Sequence, residues 1–245
     1  MILRQKQILE KLEGEGEITI KELATRFNVS EMTIHRDVDA LQKQHYVYKK
    51  RGAVVYIENN DRTNSDFYAE EKRAIGIRAA SLLVDGQSVI FDNSTTALEC
   101  AKHLDPSGKY TFYATGLETA AILSRYENSV LYVSGGYYFP ASNGLVGALA
   151  ENFVNSLKAD VCIIGASGVS VECGITTPYP MHTALQKAII AAAKTKILVC
   201  DHSKFDKAAM ENICDLKDID ILVTDGGVLE ETHKKYSKYL TLIKA

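Results

Sequence analysis

The stretch "VSEMTIHRDVDALQKQ" spans Val29 to Gln44. Val-Ser reads as a helix start, because the Ser30 hydroxyl is placed to accept a bond from a first-turn backbone amide. Ile34, Val38 and Leu41 then recur at i, i+4 and i+7 and form one narrow apolar stripe. At about 100° per residue, Met32, Thr33, His35, Arg36, Asp39 and Lys43 point away from that stripe. The outer face carries hydrogen-bonding groups and a cation near the helix start. What it meets decides the reading of the chain's first quarter.

The flanking sequence supplies the context. Upstream, Ile8, Leu9 and Leu12 give a first helix its apolar face, and Gly14 and Gly16 end it. Thr19 with Glu22 three residues later fits a capping box. Ile20, Leu23, Ala24 and Phe27 line a second helix, and "NVS" turns into the quoted one. Downstream, "YVYKKRGAVVYI" gives two β-rich runs around the basic turn Lys49-Lys50-Arg51-Gly52. Helix, helix, turn, helix and β-hairpin in that order predict a winged helix-turn-helix over residues 1–57.

A helix is about the right width for the major groove. In a helix-turn-helix the second helix reads bases with residues near its N-terminus, while other elements grip phosphates. The candidate DNA contacts are therefore Ser30, Thr33, His35, Arg36 and Lys43 on the helix, and Lys49, Lys50 and Arg51 at the hairpin turn. Between Thr33 and Ile57 five cations stand against two anions, in a chain whose formal net charge is −3. A solvated mixed-charge face is the bland alternative, and the order of elements outweighs it. Asp37 borders the apolar stripe and is expected to pair with a nearby cation.

The totals bound the rest. A chain of 245 residues holds one large domain or two smaller ones. Cys100, Cys162, Cys173, Cys200 and Cys214 are odd in number, lack C-x-x-C spacing and sit largely in apolar runs. They read as buried thiols in a reducing compartment, with neither a disulfide frame nor a metal site expected. No apolar run reaches membrane-spanning length, and the N-terminal segment mixes charge into its apolar pattern. The expectation is a cytoplasmic protein with no membrane partner and no cofactor.

"ENNDRTNSD" at 58–66 is polar, lacks large apolar residues, and reads as a linker. From residue 67 to 245 the pattern alternates. Helices are expected near Phe67–Leu83, Ala97–Leu104, Leu117–Arg125, Leu145–Leu157 and Met181–Ala193. Strands are expected at "QSVIF", "YTFYA", "SVLYV", "ADVCIIGA", "KTKILVCD" and "DIDILVTD". This spacing predicts an α/β domain with a mostly parallel sheet covered by helices on both faces.

In such a sheet, ligands bind beyond the carboxyl ends of the strands. After "SVIF" comes Asp92-Asn93-Ser94-Thr95-Thr96, opening a helix whose N-terminal amides favour anions. After "YTFYA" come Thr115 and Gly116. "SVLYV" is followed by Ser134, Gly135 and Gly136. "ADVCII" leads into Gly165, Ala166, Ser167 and Gly168, and "KILVC" into "DHSKF", with Asp201 and the cation Lys204. Each loop alone has a bland reading as a turn or a helix cap. Their recurrence at one topological position favours a phosphate-bearing ligand. Tyr137, Tyr138 and Phe139 are candidates for a pocket cover or a subunit contact. "LEETHKKYSKY" reads as a solvated helix face. His202 beside Asp201 suggests acid–base chemistry only weakly, since neighbours on an extended chain point to opposite sides.

Taken together, these motifs resemble the DeoR family of bacterial transcription regulators across the whole chain. That family carries V-S-x-x-T-I-R-R-D-L in its helix-turn-helix and R-x-H-G-G-A in its wing. Here the counterparts are "VSEMTIHRDVDAL" and "KKRGAVVY", with His35 in place of the first arginine and a single Gly52. Its sensor domain resembles ribose-5-phosphate isomerase and glucosamine-6-phosphate deaminase. The family pattern D-x-G-T-T, T-N, G-G, G-x-x-G and D-x-S-K-F becomes "DNSTT", "TG", "GG", "GASG" and "DHSKF", with Ser94 for glycine and Gly116 for asparagine. The resemblance implies a regulator, most simply a repressor of a sugar-uptake or catabolic operon. It implies operator DNA and a phosphorylated sugar as partners, and at least a homodimer on a two-fold DNA site. The rivals are a sugar-phosphate isomerase or deaminase with a fused DNA-binding module, and an architectural DNA-binding protein with a vestigial pocket. No residue pair spaced for acid–base catalysis supports the enzyme.

Overall fold

The computed structural model describes residues 2–43, 46–50, 52–56, 68–140 and 142–245, with the side chains of Lys43, Tyr48 and Lys50 excepted. The expected linker at 58–66, and Arg51 at the hairpin turn, lie outside the described residues. The chain divides into two compact units, Met1–Phe67 and Tyr68–Ala245.

In the first unit, α1 (Leu3–Glu15) is followed by β1 (Glu17–Thr19), α2 (Ile20–Arg26), α3 (Glu31–Lys43), β2 (Val47–Lys50) and β3 (Ala53–Tyr56). The apolar stripes expected on α1 and α3 are fully buried: Ile8, Leu9 and Leu12 from α1, and Ile34, Val38 and Leu41 from α3. Thr19 caps α2 by accepting the Glu22 amide at 3.1 Å. Gly52, just before Ala53 of β3, takes a positive φ of 85°, a conformation that suits glycine. The hairpin gains a third strand that the sequence pattern does not announce, since β1 pairs antiparallel with β3.

The second unit opens with α4 (Ala69–Ala80), β4 (Ser88–Phe91), α5 (Thr95–Lys102), β5 (Thr111–Ala114), α6 (Leu117–Leu123) and β6 (Val130–Val133). A hairpin of β7 (Tyr137–Phe139) and β8 (Gly144–Val146) precedes α7 (Ala148–Asn155). There follow β9 (Ala159–Ile164), β10 (Gly168–Ser170), β11 (Gly174–Thr177), α8 (Pro180–Ala192), β12 (Ala193–Val199), β13 (Glu211–Cys214), β14 (Ile221–Thr224), α9 (Glu230–Tyr236) and β15 (Thr241–Lys244). The main sheet runs β15-β14-β12-β9-β4-β5-β6, and each neighbouring pair is parallel.

Alternation along the strands builds two cores. Val89 and Phe91 of β4 pack with Ile75 and Ala79 of α4 and with Ala97 and Cys100 of α5 on one face. Ile90 packs on the other face with Ala150 and Val154 of α7 and Ile189 of α8. Helices therefore cover both faces, as the strand–helix alternation requires.

Two sequence expectations are corrected. The helix expected over Leu145–Leu157 begins only at Ala148. Leu145 belongs to β8, and its amide donates to the Thr115 carbonyl at 2.7 Å. Gly147, at φ 93°, separates that strand from the helix. "LEETHKKYSKY" is not solvated throughout, because Tyr236 is fully buried. Its hydroxyl donates to the Val169 carbonyl at 2.9 Å and lies 3.0 Å from Asp206 Oδ1.

Candidate functional site

The recognition helix starts as its sequence requires. Ser30 Oγ accepts the Thr33 amide at 3.2 Å and lies 2.9 Å from Thr33 Oγ1, so both hydroxyls serve the cap. His35 and Arg36 stand exposed on the outer face beside Met32. Asp37 is buried and ion-paired: Arg4 Nε reaches its Oδ2 at 2.5 Å and Gln5 Nε2 donates to Oδ1 at 3.2 Å, which ties α1 to α3. Lys49 Nζ sits 2.5 Å from Asp39 Oδ1, linking the wing to the outer face of α3. Lys43 and Lys50 are placed by backbone alone, at the end of α3 and of β2.

In the second unit the crossing direction reverses between β4 and β9. From β4 the chain progresses to β5 and β6 on one side, and from β9 to β12, β14 and β15 on the other. This is the switch point at which open α/β sheets place ligands. The loops beyond both strands are stitched together there. The buried Asp92 carboxylate accepts the Ser94 amide at 2.8 Å through one oxygen and the Gly165 amide at 2.8 Å through the other. Burial pushes its pKa up, while the hydrogen bonds from Ser94 and Gly165 pull the other way. A Cβ on Gly165 would lie 2.4 Å from Ser94 Cβ, so only glycine lets these loops approach.

Ser94 caps α5 by accepting the Ala97 amide at 3.2 Å. Among the described residues, the Thr95 and Thr96 amides have no protein acceptor; they are orphan donors of the first turn. Asn93, Ser94 and Thr95 are partly exposed, whereas Asp92 and Thr96 are buried. Asn93 lies between glycines: a Cβ on Gly116 would come 2.9 Å from Asn93 Cα, and one on Gly144 2.9 Å from Asn93 Cγ. Its Nδ2 donates to the Ser142 carbonyl at 2.6 Å, which fastens the β7–β8 hairpin over the crevice. Thr115 is buried, whereas Gly135 and Gly136 are exposed, and a Cβ on Gly136 would lie 2.5 Å from the Val146 carbonyl oxygen.

The remaining loops continue this edge. Ser167 donates its amide to the Thr176 carbonyl, and Gly168 packs against the Lys207 carbonyl. Val169 bridges Phe205, which brings the loop after β9 beside "DHSKF". Asp201 is buried and accepts the Ser203 amide at 3.0 Å, and Lys204 follows, partly exposed, in the same turn. His202 pairs not with its neighbour Asp201 but with Asp225, beyond β14. Its Nδ1 lies 2.8 Å from Asp225 Oδ2, and its amide donates to Oδ1 at 2.7 Å. The Tyr68 ring meets His202 edge-on at 4.9 Å.

Two residues at this edge escape the sequence reading. Asp225 follows "DILVT" as the other strand-end residues follow their strands, so the same rule finds it when applied to the last β-rich run. His182, buried in the first turn of α8, contacts Ser142 Oγ and the rings of Phe139 and Tyr179. Its signal is the proline-started helix "PYPMHT". Tyr137 and Tyr138 are exposed, and Phe139 is partly buried against Tyr179 and His182. Among the described residues, no three His, Cys, Asp or Glu side chains gather as a metal site, and no helix is long and apolar enough to cross a membrane.

A winged helix-turn-helix joined in one chain to an α/β unit with a loop-lined switch point defines a DNA-binding regulator with a sensor. Residues 4–60 match the DeoR-like helix-turn-helix domain, and residues 68–226 match the DeoR C terminal sensor domain. The chain belongs to the DeoR family of transcriptional regulators. It is 32% identical to the transcriptional repressor AccR of Agrobacterium fabrum, over 96% of this chain and 95% of that one. It is 28% identical to the glycerol-3-phosphate regulon repressor of Haemophilus influenzae, over 91% and 88%. Both relatives are repressors. Among solved structures it is similar to ribose 5-phosphate isomerase A of Methanocaldococcus jannaschii. That likeness covers 56% of this chain and 55% of that one, at 16% identity and a TM-score of 0.42.

Proposed function

We propose that this regulator represses an operon for uptake or catabolism of a sugar, and that a phosphorylated sugar at the β4–β9 crevice changes its operator affinity. The observation that carries the reading is the first turn of α5 at the switch point. Its Thr95 and Thr96 amides face an anion's needs, beside the partly exposed Asn93 and Ser94. Lys204 supplies the cation. Asp92, Thr96, Thr115, Gly116, Gly135, Gly136, Gly165, Ser167, Gly168 and Asp201 shape and hold the loops around the ligand. His202, oriented by Asp225, presents its other ring nitrogen to the ligand. The H. influenzae relative, named for a phosphorylated three-carbon compound, supports a phosphorylated effector.

On the DNA side, Thr33, His35 and Arg36 read the major groove from the start of α3, where Ser30 fixes the helix. Lys43, Lys49, Lys50 and Arg51 neutralise phosphates. The division into residues 1–57, 58–66 and 67–245 belongs to this reading, as do a cytoplasmic setting and a dimer on a two-fold operator. For the effector to act, it must bind the two conformations unequally.

The test pairs two measurements on the full chain. Thermal shift is recorded with a panel of pentose and hexose phosphates and their unphosphorylated parents. Operator gel shifts are recorded with the same compounds, using DNA upstream of the gene. One phosphosugar should raise the melting temperature and change operator affinity, and its parent sugar should do neither. A panel without any effect on either readout overturns the sensor assignment.

A further inference from the structure

The strand β6 ends the main sheet and pairs on one side only, with β5. The Val130 and Ser134 amides donate inward to Tyr110 and Ala114, each at 3.0 Å. Strand alternation therefore turns the amide and carbonyl groups of Leu131 and Val133 outward. Among the described residues no strand covers that row. Open edges are normally blunted by lysine, proline or a bulge. β6 reads Val-Leu-Tyr-Val and carries none of these, whereas β15 at the opposite edge ends in Lys244, ion-paired with Glu230.

Apolar surface extends from this edge. Val130 is 53% exposed, Tyr132 48% and Val133 42%. Tyr132 stacks on Tyr113 at 5.4 Å, and Tyr113 meets Phe153 of α7 at 6.1 Å. One turn earlier on α7, Leu149 is 72% exposed. Val130 and Tyr132 share one face of the strand and Val133 lies on the other, so exposed apolar side chains flank the open edge on both sides, as at an interaction surface.

We propose that β6 is the docking surface for a second copy of this chain, by two-fold antiparallel pairing centred on Tyr132. The inference rests on the regulator reading and deepens it by locating the dimer contact. Self-pairing is favoured by the strand's chemistry. The two-fold axis sets Tyr132 against its own copy and Leu131 against Val133, so uncharged apolar or aromatic groups face each other at each of these positions, and no charge has to be buried. Leu131 of one copy then opposes Val133 of the other, and their outward amides and carbonyls satisfy each other. The contact closes on itself as a two-fold interface does, and a two-fold operator asks for such a pair.

The geometry sets the experiment. Tyr132 directs its own backbone groups toward β5, so Tyr132 against Tyr132 is a non-hydrogen-bonded pair, with Cα atoms about 4.5 Å apart. That distance falls within disulfide range. In a full-length Cys173→Ser background, Tyr132→Cys should cross-link into a covalent dimer on mild oxidation, and Ile77→Cys, on α4, should not. Light scattering should give a dimer for wild type and a monomer for Val130→Lys/Val133→Lys, with a wild-type circular dichroism spectrum and a melting temperature lowered only by the lost association. The monomer should lose at least tenfold in affinity for a two-half-site operator and little for a single half-site. A wild-type monomer, a lysine variant that stays dimeric, or cross-linking at Ile77→Cys but not at Tyr132→Cys overturns the proposal. Phosphosugar-induced thermal shifts and operator binding report on the regulator reading separately, whatever the β6 result. A lysine variant that misfolds leaves the cysteine pair to decide.

Discussion

The Asp92 carboxylate accepts the Gly165 amide at 2.8 Å and so joins the loops that follow β4 and β9. The opposite ends of the same two strands are joined as well, because Asp160 accepts the Ser88 amide at 3.0 Å and its hydroxyl at 2.7 Å. The crevice at the switch point is thus bounded by strands clamped at both ends. The position of the α5 N-terminus depends on the upper clamp.

Gly165→Ala should loosen that clamp. The added Cβ would lie 2.4 Å from Ser94 Cβ and 2.5 Å from Ser94 Oγ, and at such distances something must move. Overpacking of this kind costs about 1–3 kcal/mol. Urea unfolding of the full chain measures it, and a change below about 0.5 kcal/mol, the range of neutral surface changes, would refute the close approach. The variant should also lose its phosphosugar-induced thermal shift, since Ser94 caps the helix that holds the anion.

Asp92 should leave a signature in the pH dependence of stability. Burial raises its pKa above the ordinary carboxylate value. A group raised on folding binds its proton more tightly in the native state, so its contribution is complete below the unfolded value and disappears as pH rises through the folded one. Asp92→Asn does not titrate. Wild-type stability should therefore fall relative to the variant as pH climbs from the ordinary carboxylate range through the raised value. Parallel stability–pH curves for the two proteins would contradict the burial.

Segments that are long and periodic, or short but sharply punctuated, were legible in the sequence, and other short ones were not. The α3 stripe repeats over about two turns, and "SVIF" sits between clear punctuation. By contrast, β1, β10 and β15 have three or four residues, too few to show a period. Leu145 and Val146 continue the spacing of α7 and read as helix, although Gly147 interrupts it. The strand-end rule brought these loops to one edge because the parallel sheet forces it. It did not distinguish Asp92 and Asp201, buried and spent on backbone amides, from the partly exposed Asn93 and Thr95. The pairing of His202 with Asp225 bridges 23 residues, and only the folded sheet brings β12 and β14 side by side.

Arg36→Ala should weaken binding to the specific operator by about 1–3 kcal/mol, the range of one base-reading interaction. Arg36 is exposed on the outer face of α3, in the turns that follow the Ser30 cap. Its removal should matter less on scrambled DNA. Equal affinity of wild type and folded variant for the operator, in gel-shift titration, would remove Arg36 from the interface.

Neutralising Lys49, Lys50 and Arg51 together should weaken binding to all duplexes alike. The slope of log K against log salt should become shallower by roughly 0.9 for each phosphate charge that is no longer neutralised. Lys49→Gln alone should change the slope least, because its ammonium already lies 2.5 Å from Asp39. Asp39→Asn should then strengthen nonspecific binding by releasing that charge. A triple variant with the wild-type slope would show that the wing stays off the DNA.

The double variant Thr95→Ala/Lys204→Ala should abolish the phosphosugar-induced rise in melting temperature while leaving the unliganded value nearly unchanged. Both residues are partly exposed at the sheet's carboxyl edge, so neither contributes much to the core. Selective binding to the native state is worth roughly 2.7 kcal/mol at a hundredfold excess over the dissociation constant, enough for a clear shift in the wild type. The Thr95 hydroxyl adds a donor beside the first-turn amides of α5, and Lys204 adds the full charge that backbone dipoles lack. Removing both should uncouple operator affinity from the phosphosugar, with operator affinity in its absence intact, because the recognition helix is untouched. A double variant that still binds the phosphosugar with wild-type affinity would place the anion away from α5 and refute the strand-end argument.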